Sequence, residues 1–188
     1  MIWNLPNTLT WLRIFAIPLV VVLYTLPYHW SDPAAGLLFA AAGITDSLDG
    51  YFARKYHQTS KLGAFLDPVA DKLMVAVALV LLVEEHHNLW LSLPAAIIIG
   101  REIVVSALRE WMAEIGARAH VAVSNLGKWK TAAQMLALVI LLANPPHFTF
   151  WVLVGYVLLI VAAGLTLWSM LHYLLAAWPH LSTEPKKK

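Results

Sequence analysis

The sequence predicts an all-α membrane protein with six transmembrane helices in one domain of 188 residues. Hydrophobic residues make up 60% of the chain, charged residues make up 13%, and the mean hydropathy is +0.69. These values are high for a soluble protein. No charged residue occurs between Arg13 and Asp32, and none occurs from Thr131 to Thr183. Each stretch is long enough to cross a bilayer, which takes about 17 to 25 residues.

Breaks in the apolar pattern divide the chain into six spans. Most of the first span lies in the uncharged stretch after Arg13. The second and third spans meet at the short basic segment RKYHQTSK. The fourth follows the polar turn EEHHN, and Asn144-Pro145-Pro146 separates the fifth from the sixth, because such a sequence interrupts a helix. The predicted spans are 9–28, 33–56, 61–84, 89–112, 122–143 and 148–177.

The positions of the basic residues predict the orientation of these spans. With six spans, both termini lie on one face, and all 13 Lys and Arg residues fall in the half toward that face. Since Lys and Arg prefer the cytoplasmic side, we expect cytoplasmic N- and C-termini. We also expect a short interfacial segment before the first span and a disordered basic tail at about 179–188.

Histidine and cysteine usage argues against two kinds of site. The chain contains no cysteine, which excludes disulfides, thiolate nucleophiles and Cys-based zinc sites. His86 and His87 are adjacent, so on a helix they point about 100° apart and do not form the pair that a zinc-binding HExxH motif supplies. We expect them to be solvated loop residues.

Four aspartates occupy two predicted helix faces near the inner ends of the second and third spans. Residues three or four positions apart share a helix face. The two stripes consist of Asp46, Asp49, Gly50 and Ala53 in the second span, and of Gly63, Asp67 and Asp71 in the third. Because the connecting loop is short, we expect these spans to be antiparallel neighbours whose stripes face each other.

A cluster of carboxylates in an apolar setting needs positive charge. Without it, mutual repulsion and desolvation would cost several kcal/mol. An all-oxygen set suits Mg²⁺ or Mn²⁺, and two such ions bridged by carboxylates favour displacement at phosphorus. The small residues on the stripes leave room for a ligand near the backbone, although close helix packing explains them equally.

The arrangement resembles the signature of the CDP-alcohol phosphotransferase family and matches it at every fixed position: Asp46-x2-Asp49-Gly50-x2-Ala53-Arg54-x8-Gly63-x3-Asp67-x3-Asp71. The resemblance implies two divalent cations, Mg²⁺ or Mn²⁺, bound by Asp46, Asp49, Asp67 and Asp71. It implies contacts to the CDP moiety from Gly50, Ala53, Arg54 and Gly63. It further implies that Asp71 deprotonates the acceptor hydroxyl. Arg54 is also placed to be a cytoplasmic anchor.

Later basic residues bear on the acceptor. The predicted binding residues for an acceptor phosphate are Arg101, Arg109, Lys128 and Lys130, at or near the inner ends of the fourth and fifth spans. The alternatives are a structural Arg101–Glu102 pair, an interfacial role for Arg109, and ordinary cytoplasmic anchoring by the two lysines.

From Asn4 to Leu171 the chain is similar to the bacterial members of the family that use glycerol 3-phosphate. This resemblance implies CDP-diacylglycerol as donor, sn-glycerol 3-phosphate as acceptor, and phosphatidylglycerophosphate and CMP as products. It also implies a homodimer in the inner membrane with a cytoplasmic active site. Two alternatives stay open: another acceptor, such as inositol phosphate, serine or phosphatidylglycerol, and a cation channel or transporter lined by the acids.

Overall fold

The regular structure of the described chain is entirely helical. The structure, a computed structural model, describes residues 5–56, 61–115 and 125–181. Within these ranges it contains six helices and no strand: α1 (Leu5–Tyr24), α2 (Ser31–Tyr56), α3 (Lys61–His86), α4 (Leu89–Glu114), α5 (Asn125–Leu142) and α6 (Phe150–Leu181). The predicted all-α class with six helices is confirmed.

The largest boundary differences are at α1 and α6. Helix α1 begins at Leu5. Residues 5–8, which were expected to belong to a separate interfacial segment, therefore form its first turn. Pro6 is tolerated there because the first N–H groups of a helix need no intrahelical partner. The helix ends before Pro27, which disfavours helical geometry in the preceding residue. Helix α6 continues to Leu181, and the rest of the predicted tail, 182–188, lies outside the described residues.

Helices α1 and α5 connect the two helices that carry the aspartates. Helix α1 packs against α2 and α3, and α5 packs against α2, α3 and α6. Helix α4 packs against α3 and α6. Within the described residues, α2 and α3 are thus both held by α1 and α5, and the face-to-face pairing of their two stripes stays a prediction. The core that joins them includes the fully buried side chains of Phe39, Leu79, Leu82, Leu138 and Leu159.

A close contact between α2 and the end of α5 depends on a glycine. A Cβ atom added to Gly36 would lie 2.6 Å from Cβ of Ala143 and 2.9 Å from its backbone N and Cα. Small residues at such points let two helix backbones approach each other. Gly36 and Ala143 therefore fix a point of close approach between α2 and α5.

The turn between α3 and α4 is attached to α6 by hydrogen bonds. Asn88 caps α4 by accepting a 3.1 Å hydrogen bond from the N–H of Leu91, and its amide donates to the Tyr156 hydroxyl at 2.5 Å. Nδ1 of His86 lies 2.8 Å from the same hydroxyl. The solvated loop position expected for both histidines fits His87, which is exposed, but is wrong for His86, which ends α3 and is half-buried.

Apolar surface covers much of the outside of the helices. Within the described residues, Leu89–Glu114 and Phe150–Leu175 are long and apolar enough to cross a membrane, and Thr8–Tyr24 and Trp129–Leu142 are shorter apolar helices. Large exposed apolar side chains on five of the helices include Phe15, Leu37, Val80, Ile103 and Leu153. Exposed apolar surface on this scale is typical of proteins covered by lipid or by a partner. The six-span topology stays a prediction.

We expect Gly36→Ala to destabilise the protein, because the added methyl group meets the backbone of Ala143 and cannot be accommodated by a side-chain rotation. Overpacking of this kind costs about 1–3 kcal/mol. Gly164→Ala is the matched control in α6, since its added Cβ has no neighbour within 4 Å. That change should be neutral or stabilising by up to about 1 kcal/mol. Thermal unfolding in detergent measures both, and equal midpoints for the two variants would contradict the close approach.

Burial lowers the pKa of His86 below its ordinary value of 6.5. The fold therefore favours the neutral imidazole, so this contribution to stability is complete above the unfolded pKa and is lost as the pH falls through the lower folded pKa. We expect acidification from about pH 7.5 to about pH 5 to lower the melting temperature more in the wild type than in His86→Gln. His87→Gln, at an exposed position, should behave like the wild type. Parallel pH curves for wild type and His86→Gln would refute the assignment.

Candidate active site

Four helices border a cavity of about 580 Å³ that contains two of the predicted aspartates. Its lining residues include Asp46 of α2 and Asp71 of α3. Glu102 of α4 and Lys130 of α5 also line it, and Lys72 contributes from α3. The cavity thus brings together acidic and basic side chains that are far apart in the sequence.

Two buried polar side chains of α1 hold the aspartates. Thr10 and Arg13, three residues apart on one helix face, are each only 1% exposed. The Thr10 hydroxyl donates a 2.6 Å hydrogen bond to Oδ1 of Asp67. The Arg13 guanidinium forms an ion pair with Oδ1 of Asp46. Helix α1 therefore contacts one aspartate on each of the two helices that carry the signature.

Sequence reasoning treated Arg13 only as a basic residue near the inner face, and it missed Thr10 as a partner of the aspartates. One signal was available. Arg13 is the only charged residue that precedes Asp32, in a segment that is otherwise apolar enough to be buried. A charge in such a segment needs a partner of opposite sign.

The remaining signature residues are described to different extents. Asp67 lies one turn before Asp71 on α3, and Gly63 is buried one turn earlier. Asp49, Gly50, Ala53 and Arg54 belong to α2, but their side chains lie outside the described part of the structure. Among the described side chains, no group of three or more His, Asp or Glu residues is close enough to hold a metal ion. The metal-binding and CDP-binding roles stay predictions.

The described carboxylates are nevertheless suited to a divalent cation. Asp46 and Asp71 reach one cavity, and their oxygen atoms are the ligands that Mg²⁺ prefers. The contacts described for Arg13 and Thr10 are made to Oδ1 of Asp46 and Oδ1 of Asp67. Each carboxylate is thereby oriented. The residues present fit the cations that the resemblance implies.

Glu102, which also lines the cavity, connects two cations. Its Oε1 accepts a 2.6 Å hydrogen bond from Arg101 and lies 3.8 Å from Nζ of Lys130. Arg101 and Lys130 are both buried. The structural Arg101–Glu102 pair that sequence reasoning kept as an alternative is therefore present, and the same carboxylate also holds Lys130 at the cavity.

Arg101 and Arg109, two further predicted phosphate-binding residues, lie beside a ring of α6. The guanidinium carbon atoms of Arg101 and Arg109 lie 6.0 and 5.8 Å from the ring centroid of Tyr173 on α6. Among the described residues that line the cavity, Lys130 is present, but Arg101 and Arg109 are not. The side chain of Lys128 is outside the described part of the structure. Lys130 is thus the predicted phosphate-binding residue that the described cavity wall contains.

Comparison with known proteins extends the match beyond the signature. A family model described as CDP-alcohol phosphatidyltransferase matches residues 3–168, which is most of the chain. The chain belongs to this family. The prediction made from the signature is confirmed.

Individual members of the CDP-alcohol phosphatidyltransferase family are similar over almost their whole length. A protein of Pseudomonas fluorescens is 66% identical over 186 residues, covering 98% of this chain and 95% of the relative. A protein of Escherichia coli strain K12 is 54% identical over 176 residues, covering 93% of this chain and 95% of the relative. Both relatives are named CDP-diacylglycerol–glycerol-3-phosphate 3-phosphatidyltransferase.

We expect Thr10→Val to weaken the attachment of α1 to α3, because it removes the hydroxyl that donates to Asp67 and keeps the side-chain shape. Loss of one such hydrogen bond costs about 1 kcal/mol, and more if the carboxylate stays desolvated. Thr10→Ser, which keeps the hydroxyl, should retain more of the stability. Thermal unfolding of the two purified variants measures the difference. The hydrogen bond would be unimportant if valine were as stable as serine at this position.

Proposed function

We propose that this protein transfers a phosphatidyl group from CDP-diacylglycerol to sn-glycerol 3-phosphate, producing phosphatidylglycerophosphate and CMP. The observation that carries the proposal is a cavity lined by Asp46, Asp71 and Lys130. The acidic residues suit the binding of metal-complexed diphosphate, and the buried lysine suits an acceptor with its own phosphate. The names of the similar proteins support the same donor and acceptor.

The donor is held by the signature residues in this proposal. The residues that would hold two divalent cations, Mg²⁺ or Mn²⁺, are Asp46, Asp49, Asp67 and Asp71. When bound, the cations neutralise the diphosphate and lower the cost of bringing an alcohol oxygen to phosphorus. The residues that contact the CDP moiety are Gly50, Ala53, Arg54 and Gly63.

The transfer itself is a displacement at the phosphorus that bears the diacylglycerol. The acceptor hydroxyl oxygen forms the new bond to this phosphorus, the bond to the bridging diphosphate oxygen breaks, and CMP leaves. Asp71 takes the hydroxyl proton, because its carboxylate lines the cavity. Arg13 and Thr10 keep Asp46 and Asp67 in fixed positions during this step. Correct placement of this kind accounts for a large part of the catalytic effect.

In this proposal, basic residues of the fourth and fifth helices bind the phosphate group of the acceptor. Lys130 contributes from α5 and is kept in place by Glu102. Arg101 and Arg109, which are within electrostatic range of Lys130, add to the positive potential, and Lys128 extends it along α5. A potential of this sign attracts a phosphorylated acceptor and favours it over uncharged ones.

The same proposal includes a place in the cell. The protein is a single domain in the inner membrane with its active site facing the cytoplasm, and it forms a homodimer. The clustering of Lys and Arg toward one face supports this orientation. The exposed apolar side chains of the helices support a surrounding bilayer.

The decisive experiment is release of CMP by the purified protein in detergent, with CDP-diacylglycerol, Mg²⁺ and one acceptor at a time. We expect release with sn-glycerol 3-phosphate and much less with inositol 1-phosphate, serine or phosphatidylglycerol. Release with another acceptor would keep the family chemistry and reject the proposed acceptor. Failure with every acceptor, together with cation flux in vesicles, would instead indicate an ion path along the aspartates.

We expect Asp67→Asn to lower the activity by at least about 100-fold. Mutation of a residue that only supports a metal ligand lowers metal affinity or activity by about 10- to 100-fold, and loss of a ligand itself costs more. The protein should stay folded, because the carboxamide oxygen can still accept from Thr10 and because one repelling charge is removed. Activity with CDP-diacylglycerol and a thermal unfolding midpoint without metal are measured together. A large drop in the midpoint would assign Asp67 a structural role instead.

A further inference from the structure

Lys72 is a cation of the cavity that the roles described above do not use. It follows Asp71 on α3 and lines the same cavity. Its ammonium group donates a hydrogen bond to the hydroxyl of Ser106 on α4. That hydroxyl donates in turn to the backbone carbonyl of Glu102 at 2.5 Å. Because the hydroxyl proton is committed to the carbonyl, the serine oxygen is left to accept from Lys72, which directs the ammonium group toward α4.

The position of Lys72 differs from that of its neighbour Asp71. Successive residues of a helix point about 100° apart, so the two side chains reach different parts of the cavity. Lys72 contacts Ser106, whose hydroxyl donates to the backbone carbonyl of Glu102. The side chain of Glu102 in turn lies 3.8 Å from Nζ of Lys130. The ammonium groups of Lys72 and Lys130 are therefore both connected to the α4 turn that carries Glu102.

The two lysines of the cavity suit a ligand with a phosphate monoester group. The described lining residues include the carboxylates of Asp46, Asp71 and Glu102 and the ammonium groups of Lys72 and Lys130. The carboxylate of Glu102 offsets much of the charge of Lys130, but the partner of Lys72 is a neutral hydroxyl. An ammonium group has three donors, and Ser106 accepts from one of them. The ammonium group of Lys72 thus has further donors that can bind an anion.

We propose that Lys72 binds the phosphate group of the acceptor, and that Ser106 is the positioning residue that holds the lysine ammonium on the α4 side of the cavity. The proposal rests on the proposed function. In this arrangement the acceptor hydroxyl lies near Asp71 while the phosphate lies near Lys72 and Lys130. A small acceptor with a hydroxyl and a phosphate at opposite ends of a three-carbon chain fits such adjacent groups.

The first test is steady-state kinetics of Lys72→Met, which is one atom shorter than lysine, keeps an unbranched side chain and removes the charge. Loss of a charged hydrogen bond to phosphate predicts a rise of about ten-fold or more in the KM for sn-glycerol 3-phosphate. The KM for CDP-diacylglycerol and kcat should change less than about three-fold. Lys72→Arg, which retains the charge, should recover most of the acceptor affinity.

The second test uses a matched pair of serines on α4. The hydroxyl of Ser106 donates to the carbonyl of Glu102, and that of Ser92 donates to the carbonyl of Asn88, four residues earlier in each case. Among the bonds described, Ser106 accepts from Lys72 and Ser92 has no such role. Ser106→Ala should raise the acceptor KM by about three-fold with little change in kcat, and Ser92→Ala should leave both unchanged. This pair decides the question if Lys72→Met does not fold.

The outcomes separate this proposal from the proposed function. If the wild type releases CMP only with another acceptor or with none, the function fails whatever Lys72 does. If the wild type requires sn-glycerol 3-phosphate and Lys72→Met keeps its acceptor KM, only the role of Lys72 is overturned. A rise in the KM for CDP-diacylglycerol, or a loss confined to kcat, would place Lys72 at the donor and also overturn it.

Discussion

The ion pair between Arg13 and Asp46 is the interaction on which the geometry of the cavity depends. Arg13 is almost fully buried in an apolar helix, and a buried guanidinium requires a partner of opposite charge. The partner is an aspartate of the signature, so the requirement of α1 for a counter-charge also fixes the position of α2. Thr10 makes the equivalent connection to Asp67 on α3. Since α1 contacts both helices, it determines how far apart the two aspartate stripes lie.

Two groups of ionised residues are connected by the cavity of a largely apolar bundle. Arg13 pairs with Asp46 in one group, and Glu102 joins Arg101 to Lys130 in the other. Buried ion pairs contribute little to stability, and apolar residues of similar volume often stabilise a core equally well or better. Stability alone therefore gives no reason for so many charges to be grouped here. Their grouping around one cavity is explained by a charged ligand.

The sequence was sufficient for the helices and the signature, but not for the contacts between helices. The apolar stretches and the Asn144-Pro145-Pro146 break are local features, and they correctly predicted six helices. The spacing of the aspartates is also local, and it correctly identified the family. The short loop after α2 suggested direct pairing of α2 and α3, but it gave no indication that α1 and α5 pack against both.

The residues that sequence reasoning missed or misplaced are defined by partners distant in the sequence. Thr10 and Arg13 contact Asp67 and Asp46, and no local pattern in α1 indicates these partners. His86 was expected in a solvated loop because its neighbours are polar, but it contacts Tyr156 on α6. No local feature of the sequence distinguishes Lys72 from other basic residues, and its ammonium group donates to Ser106 on α4. Each case needs the three-dimensional packing of helices that are separated by 30 or more residues.

The two ends of the bundle are built differently, and the difference explains why the cavity lies where it does. At one end Gly36 of α2 lies against Ala143, which directly follows α5, and the Asn88–Tyr156 hydrogen bond attaches the α3–α4 turn to α6. Farther along the same two helices, a Cβ atom added to Gly43 of α2 would meet the flexible end of the Met135 side chain. Gly43 and Met135 both line the cavity. Helices α2 and α5 therefore touch through backbone at one end and enclose space at the other. Close packing at Gly36 and Ala143 stabilises the pair of helices, so the fold tolerates the space between the charged residues that line the cavity.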